Sequence, residues 1–210
     1  MVGDPKFWER CYEEHRDGWE IGQPAPPLER VLRARKEAPW VPTTGRALVL
    51  GCGRGHDARL LAELGLSVTA VDFAPRAIAE ARRWTPPQLA SRIEWRCEDL
   101  FTVPARAPAS FDLVVEHASF CAIEPARRAE WFAVARRVLR PGAMLLGLFY
   151  VHGREGGPPF GATEEEVLRL AKEAHFVVLR SETPADSVTQ RRNEELLVLA
   201  RTKRPGESLD

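Results

Sequence analysis

The stretch Ala47-Leu-Val-Leu-Gly-Cys-Gly-Arg-Gly-His-Asp57 is an apolar run that ends in three alternate glycines and leads straight into a helical pattern. A second apolar run, Val68-Thr-Ala-Val-Asp72, ends in an acid about 20 residues after the first glycine, the spacing of a βαβ nucleotide-binding unit. Glycines let the backbone approach a ligand where a Cβ would collide, and Asp72 can accept hydrogen bonds from both ribose hydroxyls. The stretch therefore predicts a site for an adenosine-containing cofactor.

The glycine spacing narrows the kind of cofactor. Enzymes that bind dinucleotides use G-x-G-x-x-G, in which a pyrophosphate lies on the helix N-terminus and a third glycine allows close packing. Here the spacing is G-x-G-x-G, and Asp57 stands in the first helical turn. A carboxylate there suits a ligand with a positive amino or sulfonium group rather than a pyrophosphate. A dinucleotide-dependent oxidoreductase and a turn that binds no ligand are the alternatives.

Length and charge limit the classes of protein. The 210 residues indicate one domain, 1–210, in which an N-terminal helical cover at 1–40 precedes a core at 46–201. Lys and Arg number 30 and balance 30 Asp and Glu, so no net field favours nucleic acid or an anionic membrane as partner. We expect a monomer that acts on a small molecule.

The cysteines and the N-terminus indicate the compartment. Cys11, Cys52, Cys97 and Cys121 form no C-x-x-C pair and indicate reduced thiols rather than disulfides or a zinc site. The N-terminus lacks the charged-then-apolar plan of a signal peptide, and no apolar run approaches the ~20 residues of a membrane span. We expect a cytoplasmic protein without a metal site.

Apolar and amphipathic segments alternate along the chain. Continuous apolar runs are typical of strands buried on both faces of a parallel sheet, and their alternation with helices predicts a doubly wound α/β sandwich. The predicted helices are 5–16, 28–38, 56–65, 75–84, 125–139 and 163–174, the last capped by Thr163. The predicted strands are 46–51, 67–72, 92–97, 111–116, 143–150, 175–182 and 193–201. The last two strands, joined without a helix, predict an antiparallel hairpin at one sheet edge.

Four segments carry a family resemblance: Trp19 in the Gly/Pro-rich loop 17–27, the glycine turn, Phe111-Asp-Leu-Val-Val-Glu-His-Ala-Ser-Phe-Cys-Ala-Ile123, and Gly157-Pro-Pro-Phe160. The arrangement resembles the class I S-adenosylmethionine-dependent methyltransferases, and these segments are similar to their thiopurine S-methyltransferase superfamily. The resemblance covers about residues 7–201. It implies a three-layer α/β/α sandwich with a Rossmann-like, seven-stranded, mostly parallel sheet, S-adenosylmethionine as methyl donor and S-adenosylhomocysteine as product.

The resemblance also implies which residues hold the methionine end of the donor. Trp19 would lie against it as a lid, and Asp57 would lie near its amino group. Gly51 and Gly53 would let the backbone approach. Glu116, at the tip of the fourth strand, would face the methionine moiety.

The adenosine end and the acceptor pocket follow from the same resemblance. Asp72 would hold the ribose hydroxyls, Phe73 would flank the adenine, and Asp99 and Leu100 would reach the adenine edge. The acceptor pocket would be lined by Pro159 and Phe160.

The tip of the fourth strand departs from the thiopurine pattern. Animal-type thiopurine enzymes carry Asp-Arg there, whereas this chain has Glu116-His117 followed by Ser119-Phe-Cys-Ala122, which is closer to the thiol and halide branch. The resemblance therefore implies a small thiol or a related soft nucleophile as acceptor. A halide, a selenium or tellurium compound, and a non-catalytic relative that binds the donor are the alternatives.

His117 is the candidate residue for binding or deprotonating an acceptor, because it stands at the carboxyl end of a strand over the predicted switch region. The competing interpretation is a structural histidine that bonds a loop carbonyl. A thiol is partly ionised at neutral pH and needs no strong base. Trp8 is expected to be a packing residue, and the pairs at 127–128, 136–137 and 191–192 are expected to be solvated arginines.

Overall fold

A computed structural model describes residues 2–34 and 41–207. Its centre is one seven-stranded sheet with the order β3-β2-β1-β4-β5-β7-β6. The strands are β1 Arg46–Leu50, β2 Ser67–Asp72, β3 Ile93–Cys97, β4 Phe111–His117, β5 Leu139–Tyr150, β6 Phe176–Glu182 and β7 Glu195–Thr202. The first five strands pair in parallel, and β7 runs antiparallel to both β5 and β6. The predicted α/β sandwich and its edge hairpin are confirmed.

Helices cover both faces of the sheet. They are α1 Pro5–Glu13, α2 Pro26–Arg33, α3 His56–Glu63, α4 Pro75–Arg83, α5 Pro87–Ala90, α6 Val103–Arg106, α7 Arg128–Val138 and α8 Glu164–Glu173. Apolar side chains of α2, α3, α4 and α5 pack on one face of the sheet. Those of α6, α7 and α8 pack on the other face, around an aromatic cluster of Phe120, Trp131, Phe132 and Phe149.

Several predicted boundaries differ from the structure. The first helix ends at Glu13 rather than at 16, and α7 begins at Arg128 rather than at 125. The second helix begins at Pro26 rather than at 28, and its predicted residues 35–38 lie outside the described part of the chain. Strand β5 begins at Leu139 rather than at 143, because buried Leu139 pairs with Phe111 before a register shift. The short helices α5 and α6 were not predicted, since four residues are too few to show a helical period.

The strand order places a site at one edge of the sheet. Chain crossings reverse direction between β1 and β4, and open α/β sheets bind ligands outside the carboxyl ends of the strands at such a switch point. The N-terminal helix α1 lies over this edge, where Trp8 and Tyr12 pack against Ala74 and Ala77 at the start of α4. No helix among residues 2–34 and 41–207 is long and apolar enough to cross a bilayer.

Candidate functional site

A cavity of about 530 Å³ opens at the carboxyl ends of β1, β2 and β4. This volume lies within the range of small-molecule sites. Its walls come from the glycine turn, the strand tips and the N-terminal cover. The lining residues include Tyr12, Trp19, Gly51, Gly53, Asp57, Asp72, Phe73, His117, Tyr150 and Arg191.

The glycine turn forms a backbone cradle after β1. Gly51 has φ +63°, and a Cβ there would lie 2.6 Å from the Ser119 Cβ. Gly53 has φ +52°, and its Cβ would approach the Tyr12 hydroxyl to 3.3 Å. Because L side chains rarely adopt these angles, both positions require glycine, which leaves bare backbone facing the cavity. The residues present therefore fit a donor that approaches the chain closely.

The Asp72 carboxylate lies at the tip of β2 and is fixed by the backbone. Its Oδ2 accepts a hydrogen bond from Gly53 N at 2.9 Å, and its Oδ1 accepts one from Ala74 N at 3.0 Å. Burial raises the pKa of Asp72, and these hydrogen bonds oppose the rise. Each carboxylate oxygen keeps a second lone pair, so Asp72 has the capacity to accept the two ribose hydroxyls.

The structure brings the other adenine-side residues to the same part of the wall. Phe73, Asp99 and Leu100 all line the cavity beside Asp72. The Asp99 Oδ1 also accepts a hydrogen bond from Phe101 N at 3.0 Å, which fixes the loop after β3. Donor contacts by these residues stay predictions.

A chain of hydrogen bonds crosses the opposite end of the cavity. The Nδ1 of His117 donates to Asp57 Oδ2 at 2.8 Å, and Ala25 N donates to Asp57 Oδ1 at 3.0 Å. On the other side of the imidazole, Arg191 Nη1 donates to His117 Nε2 at 2.9 Å, and Arg191 Nη2 donates to the Trp19 carbonyl at 2.7 Å. Residues from the cover, α3, β4 and the loop before β7 are thereby joined through one histidine.

These partners decide what Asp57 and His117 can do. Burial favours a higher pKa for Asp57, but its interaction with His117 and the hydrogen bond from the Ala25 N–H outweigh burial and lower that pKa, so Asp57 is ionised. Both ring nitrogens of His117 are already engaged. The bonds assign the proton to Nδ1 and the lone pair of Nε2 to Arg191. The geometry therefore leaves His117 no free lone pair for an acceptor proton, and its partners are side chains rather than a loop carbonyl.

Two arginines that were expected to be solvated are buried, so that prediction is wrong for both. Arg191 is 6% exposed and lies within 3.4 Å of the Glu195 carboxylate at the start of β7. Arg128 is 2% exposed, and its guanidinium binds Glu166 and the Phe160 carbonyl. A run of arginines in a sequence is typical of a solvated face, but the run does not reveal which groups the folded chain places beside it. The partners here lie in other elements.

Glu116 and Phe160 lie outside the cavity wall, in contrast to the roles that the resemblance implies. Glu116 is fully buried, and its carboxylate accepts hydrogen bonds from the Ser119 hydroxyl and from Phe120 N at 2.8 Å. Burial raises the pKa of Glu116 to about 7. Phe160 donates its backbone N–H to the Cys121 carbonyl at 2.7 Å, while the neighbouring Pro159 does line the cavity. Glu116 shapes the turn after β4 from beneath.

The cover is fixed to the glycine turn by Arg54. Its guanidinium binds the carboxylates of Asp17 and Glu80 and lies 5.0 Å from the centre of the Tyr12 ring. The Tyr12 hydroxyl in turn accepts a hydrogen bond from the Trp19 indole at 3.4 Å. These contacts place the Trp19 loop against the cavity.

Sequence reasoning missed that Trp8, Tyr12, Tyr150 and Arg191 line the cavity. Trp8 is buried, as expected, and packs edge-on against Trp19 with ring centres 5.4 Å apart, but it also faces the cavity. The aromatic face of α1 was visible in the helical spacing. Only the position of α1 over the sheet edge shows that this face covers a site.

Near Arg191, the cavity wall contains two side chains, Tyr150 and Cys121, that stay protonated at neutral pH. The Tyr150 hydroxyl donates to Glu194 at 2.9 Å, and burial first of all raises the Tyr150 pKa. The Cys121 thiol donates to the Ala118 carbonyl, and burial raises its pKa to about 12. At neutral pH this part of the cavity wall presents neutral side chains and the guanidinium of Arg191, which is paired with the Glu195 carboxylate outside the wall.

Comparisons with known proteins agree with this architecture. The family model described as thiopurine S-methyltransferase matches residues 3–204. Thiocyanate methyltransferase 1 of Arabidopsis thaliana is 34% identical over 166 residues, which are 77% of this chain and 70% of that protein. Probable thiol methyltransferase 2 of the same plant is 32% identical over 162 residues, 76% of this chain and 68% of that protein.

A solved structure shows the same fold. The 1,6-didemethyltoxoflavin-N1-methyltransferase of Burkholderia thailandensis, with bound 1,6-didemethyltoxoflavin and S-adenosylhomocysteine, superposes with a TM-score of 0.73. The match covers 95% of this chain and 87% of that one at 22% sequence identity.

Proposed function

The chain belongs to the thiopurine S-methyltransferase family and is an S-adenosylmethionine-dependent methyltransferase, and from this premise we propose that its acceptor is a small thiol or another soft sulfur anion. The proposal rests on the buried guanidinium of Arg191 in the cavity wall, where the nearby Tyr150 hydroxyl and Cys121 thiol stay protonated at neutral pH. Such a wall favours an acceptor that enters already ionised. Thiols meet this condition, because a free thiol has a pKa of about 8.5 and is partly ionised at neutral pH.

We assign donor binding to the cradle side of the cavity. Asp72 holds the ribose hydroxyls, the bare backbone at Gly51 and Gly53 admits the donor, and the Asp57 carboxylate attracts its amino group. Phe73, Asp99 and Leu100 complete the adenine side. Trp19 closes the site from above and excludes water, which strengthens every electrostatic contact inside it.

The chemistry needs alignment more than proton transfer. When bound, S-adenosylmethionine would supply a methyl group on a sulfonium sulfur. An in-line nucleophile would bond to the methyl carbon as the bond to that sulfur breaks, with S-adenosylhomocysteine as the leaving group. Arg191 attracts the anionic acceptor, and Pro159 and Tyr150 shape its pocket. The proton of a thiol is lost to solvent before entry, so the chain needs to orient two partners at van der Waals contact and exclude water. Displacement combines a cation and an anion into two neutral sulfur centres, which a dry site favours.

Inorganic anions are the second candidate class of acceptor. The 34% identical relative is a thiocyanate methyltransferase, and Arg191 would attract thiocyanate or a halide as readily as a thiolate. Selenium and tellurium anions belong to the same class of soft nucleophile.

The test is S-adenosylhomocysteine formation with a panel of acceptors. The panel contains thiophenol, hydrogen sulfide, 6-mercaptopurine, thiocyanate, iodide and selenite, and donor binding is measured in parallel by calorimetry. Turnover highest with thiophenol or hydrogen sulfide supports the proposal. Turnover on 6-mercaptopurine also fits a sulfur acceptor, whereas turnover confined to iodide or selenite contradicts the proposal. Donor binding without turnover on any acceptor indicates a non-catalytic relative.

A further inference from the structure

We propose that His117 is a positioning residue whose neutral imidazole holds the cover closed over the donor, and that protonation of His117 opens the cover and weakens donor binding. Residues 19–25 form the part of the N-terminal cover that lies between Trp19 and Ala25, and we call them the cover segment. The inference needs donor binding but is independent of which acceptor is used.

The cover segment is tied to the body of the protein at both ends, and His117 stands between these two ties. A third contact holds its middle, where the Glu20 carboxylate lies 3.4 Å from Arg54 Nη1 and 2.9 Å from His56 Nε2. At one end, Ala25 N donates to Asp57 Oδ1 at 3.0 Å. At the other end, Arg191 Nη2 donates to the Trp19 carbonyl at 2.7 Å. His117 joins Asp57 to Arg191, because its Nδ1 donates to the carboxylate and its Nε2 accepts from the guanidinium.

This pattern requires the neutral imidazole. A second proton on His117 would sit on Nε2, which would then turn an N–H toward the N–H of Arg191 only 2.9 Å away. Two donors cannot share one hydrogen bond, and two cations at that distance repel each other. Arg191 has to move, and its bond to the Trp19 carbonyl is lost with it.

The charged and titratable groups around His117 pull in both directions. Those that face it or its direct partners are Asp57 and His56 of α3, Glu116 of β4, Tyr150 of β5, Arg191, and Glu195 of β7. The ionised Asp57 would attract a positive charge on the imidazole, and Arg191 would repel it. Glu116 is the competing explanation for any pH effect, because burial raises its pKa to about 7. The test therefore has to separate His117 from Glu116.

The first measurement is calorimetric binding of S-adenosylhomocysteine between pH 5.5 and pH 8.5, in buffers with different heats of ionisation. We expect the dissociation constant to rise about tenfold from pH 8 to pH 6, with proton release on binding near the midpoint. The non-titrating variant His117→Gln should bind with an affinity that changes less than about twofold over this range, and without proton release. The matched control is His175→Asn at an exposed histidine, which should keep the wild-type pH dependence.

Glu116→Gln and a spectroscopic measurement complete the test. Glu116→Gln should retain the pH dependence, and its loss in that variant, or its persistence in His117→Gln, overturns the proposal. If His117→Gln fails to fold, the ¹⁵N resonances of the wild-type imidazole decide. They should show the Nδ1-protonated tautomer at pH 8 and a titration that moves to lower pH when S-adenosylhomocysteine binds. A titration unchanged by the ligand overturns the proposal.

Discussion

The two ends of the cavity are built in different ways. At the cradle end, Asp72 binds Gly53 and Ala74, which are 19 and 2 residues away in the sequence, and all three follow directly from β1 and β2. At the cover end, Arg191 binds His117 and Trp19, which are 74 and 172 residues away. The cradle is built from one short motif, whereas the cover end depends on side chains that meet only in the complete fold.

The largest expected effect of a single substitution is at Arg191, at the cover end of the cavity. Arg191→Met should lower the free energy of unfolding by about 3–5 kcal/mol, because it leaves the buried Glu195 carboxylate without its partner. Urea denaturation at neutral pH measures the loss. The matched control Arg191→Met/Glu195→Leu removes both charges and should recover most of the stability. A loss under about 1 kcal/mol in the single variant would contradict the buried ion pair.

At the cradle end the expected loss is in affinity. On the proposed function, Asp72→Ala would remove two charge-assisted hydrogen bonds to the ribose, worth about 1.5–3 kcal/mol each, and should weaken S-adenosylhomocysteine binding at least about 100-fold by calorimetry. Asp72→Asn, which keeps one acceptor oxygen, should lose less. Equal and small losses in both variants would show that Asp72 acts only through its bonds to Gly53 and Ala74.

Trp19→Ala separates the indole from the hydrogen bond made by its backbone. The Trp19 carbonyl keeps its bond to Arg191, but the aromatic contacts with Trp8 and Tyr12 are lost. We expect S-adenosylhomocysteine to bind about tenfold more weakly, because the cover no longer excludes water from the donor. Unchanged affinity in stopped-flow or calorimetric titrations would remove Trp19 from the donor site.

Glu116→Gln gives the smallest expected effect. It tests a buried residue that lies outside the cavity wall, between the cradle end and the cover end. The folded-state pKa of about 7 lies above the ordinary value of 4.5, so the native state binds more protons and stability falls as pH rises through this window. Glutamine does not titrate, so the variant lacks this pH-dependent contribution to the free energy of unfolding. Between about pH 5 and pH 8, the wild type should lose at least about 1 kcal/mol more unfolding free energy than the variant. Parallel stability curves would contradict this.

Sequence patterns predicted what depends on neighbours along the chain. The strand ends, the glycine turn and the acid at Asp72 follow from apolar runs and from residues that a nucleotide-binding turn requires. The hairpin of β6 and β7 was also predictable, because no helix separates the two strands. The helical cap at Thr163 is confirmed as well, since Glu166 N donates to its hydroxyl at 3.1 Å.

The remainder required the fold itself. Arg191 and Arg128 occur in charged runs that are typical of solvent-exposed faces. Glu195 lies only four residues after Arg191, but tertiary packing is needed to bring Glu166 and the carbonyls of Trp19 and Phe160 to these arginines. His117 was identified as a candidate from its strand end, but its role depends on which groups occupy its two nitrogens. Those groups come from separate elements, so the sequence left its two interpretations open.

The sheet order also constrains how the chain acquires its structure during synthesis. Strand β6 pairs only with β7, and β7 occupies the position between β5 and β6. A nascent chain that has emerged only as far as β6 therefore exposes β5 as an open edge, and it has not yet placed Arg191 in the cavity wall. The ribosome must release Glu195–Thr202 before that edge is covered, so Arg191 and its partner Glu195 take their places in the fold only after β7 has emerged.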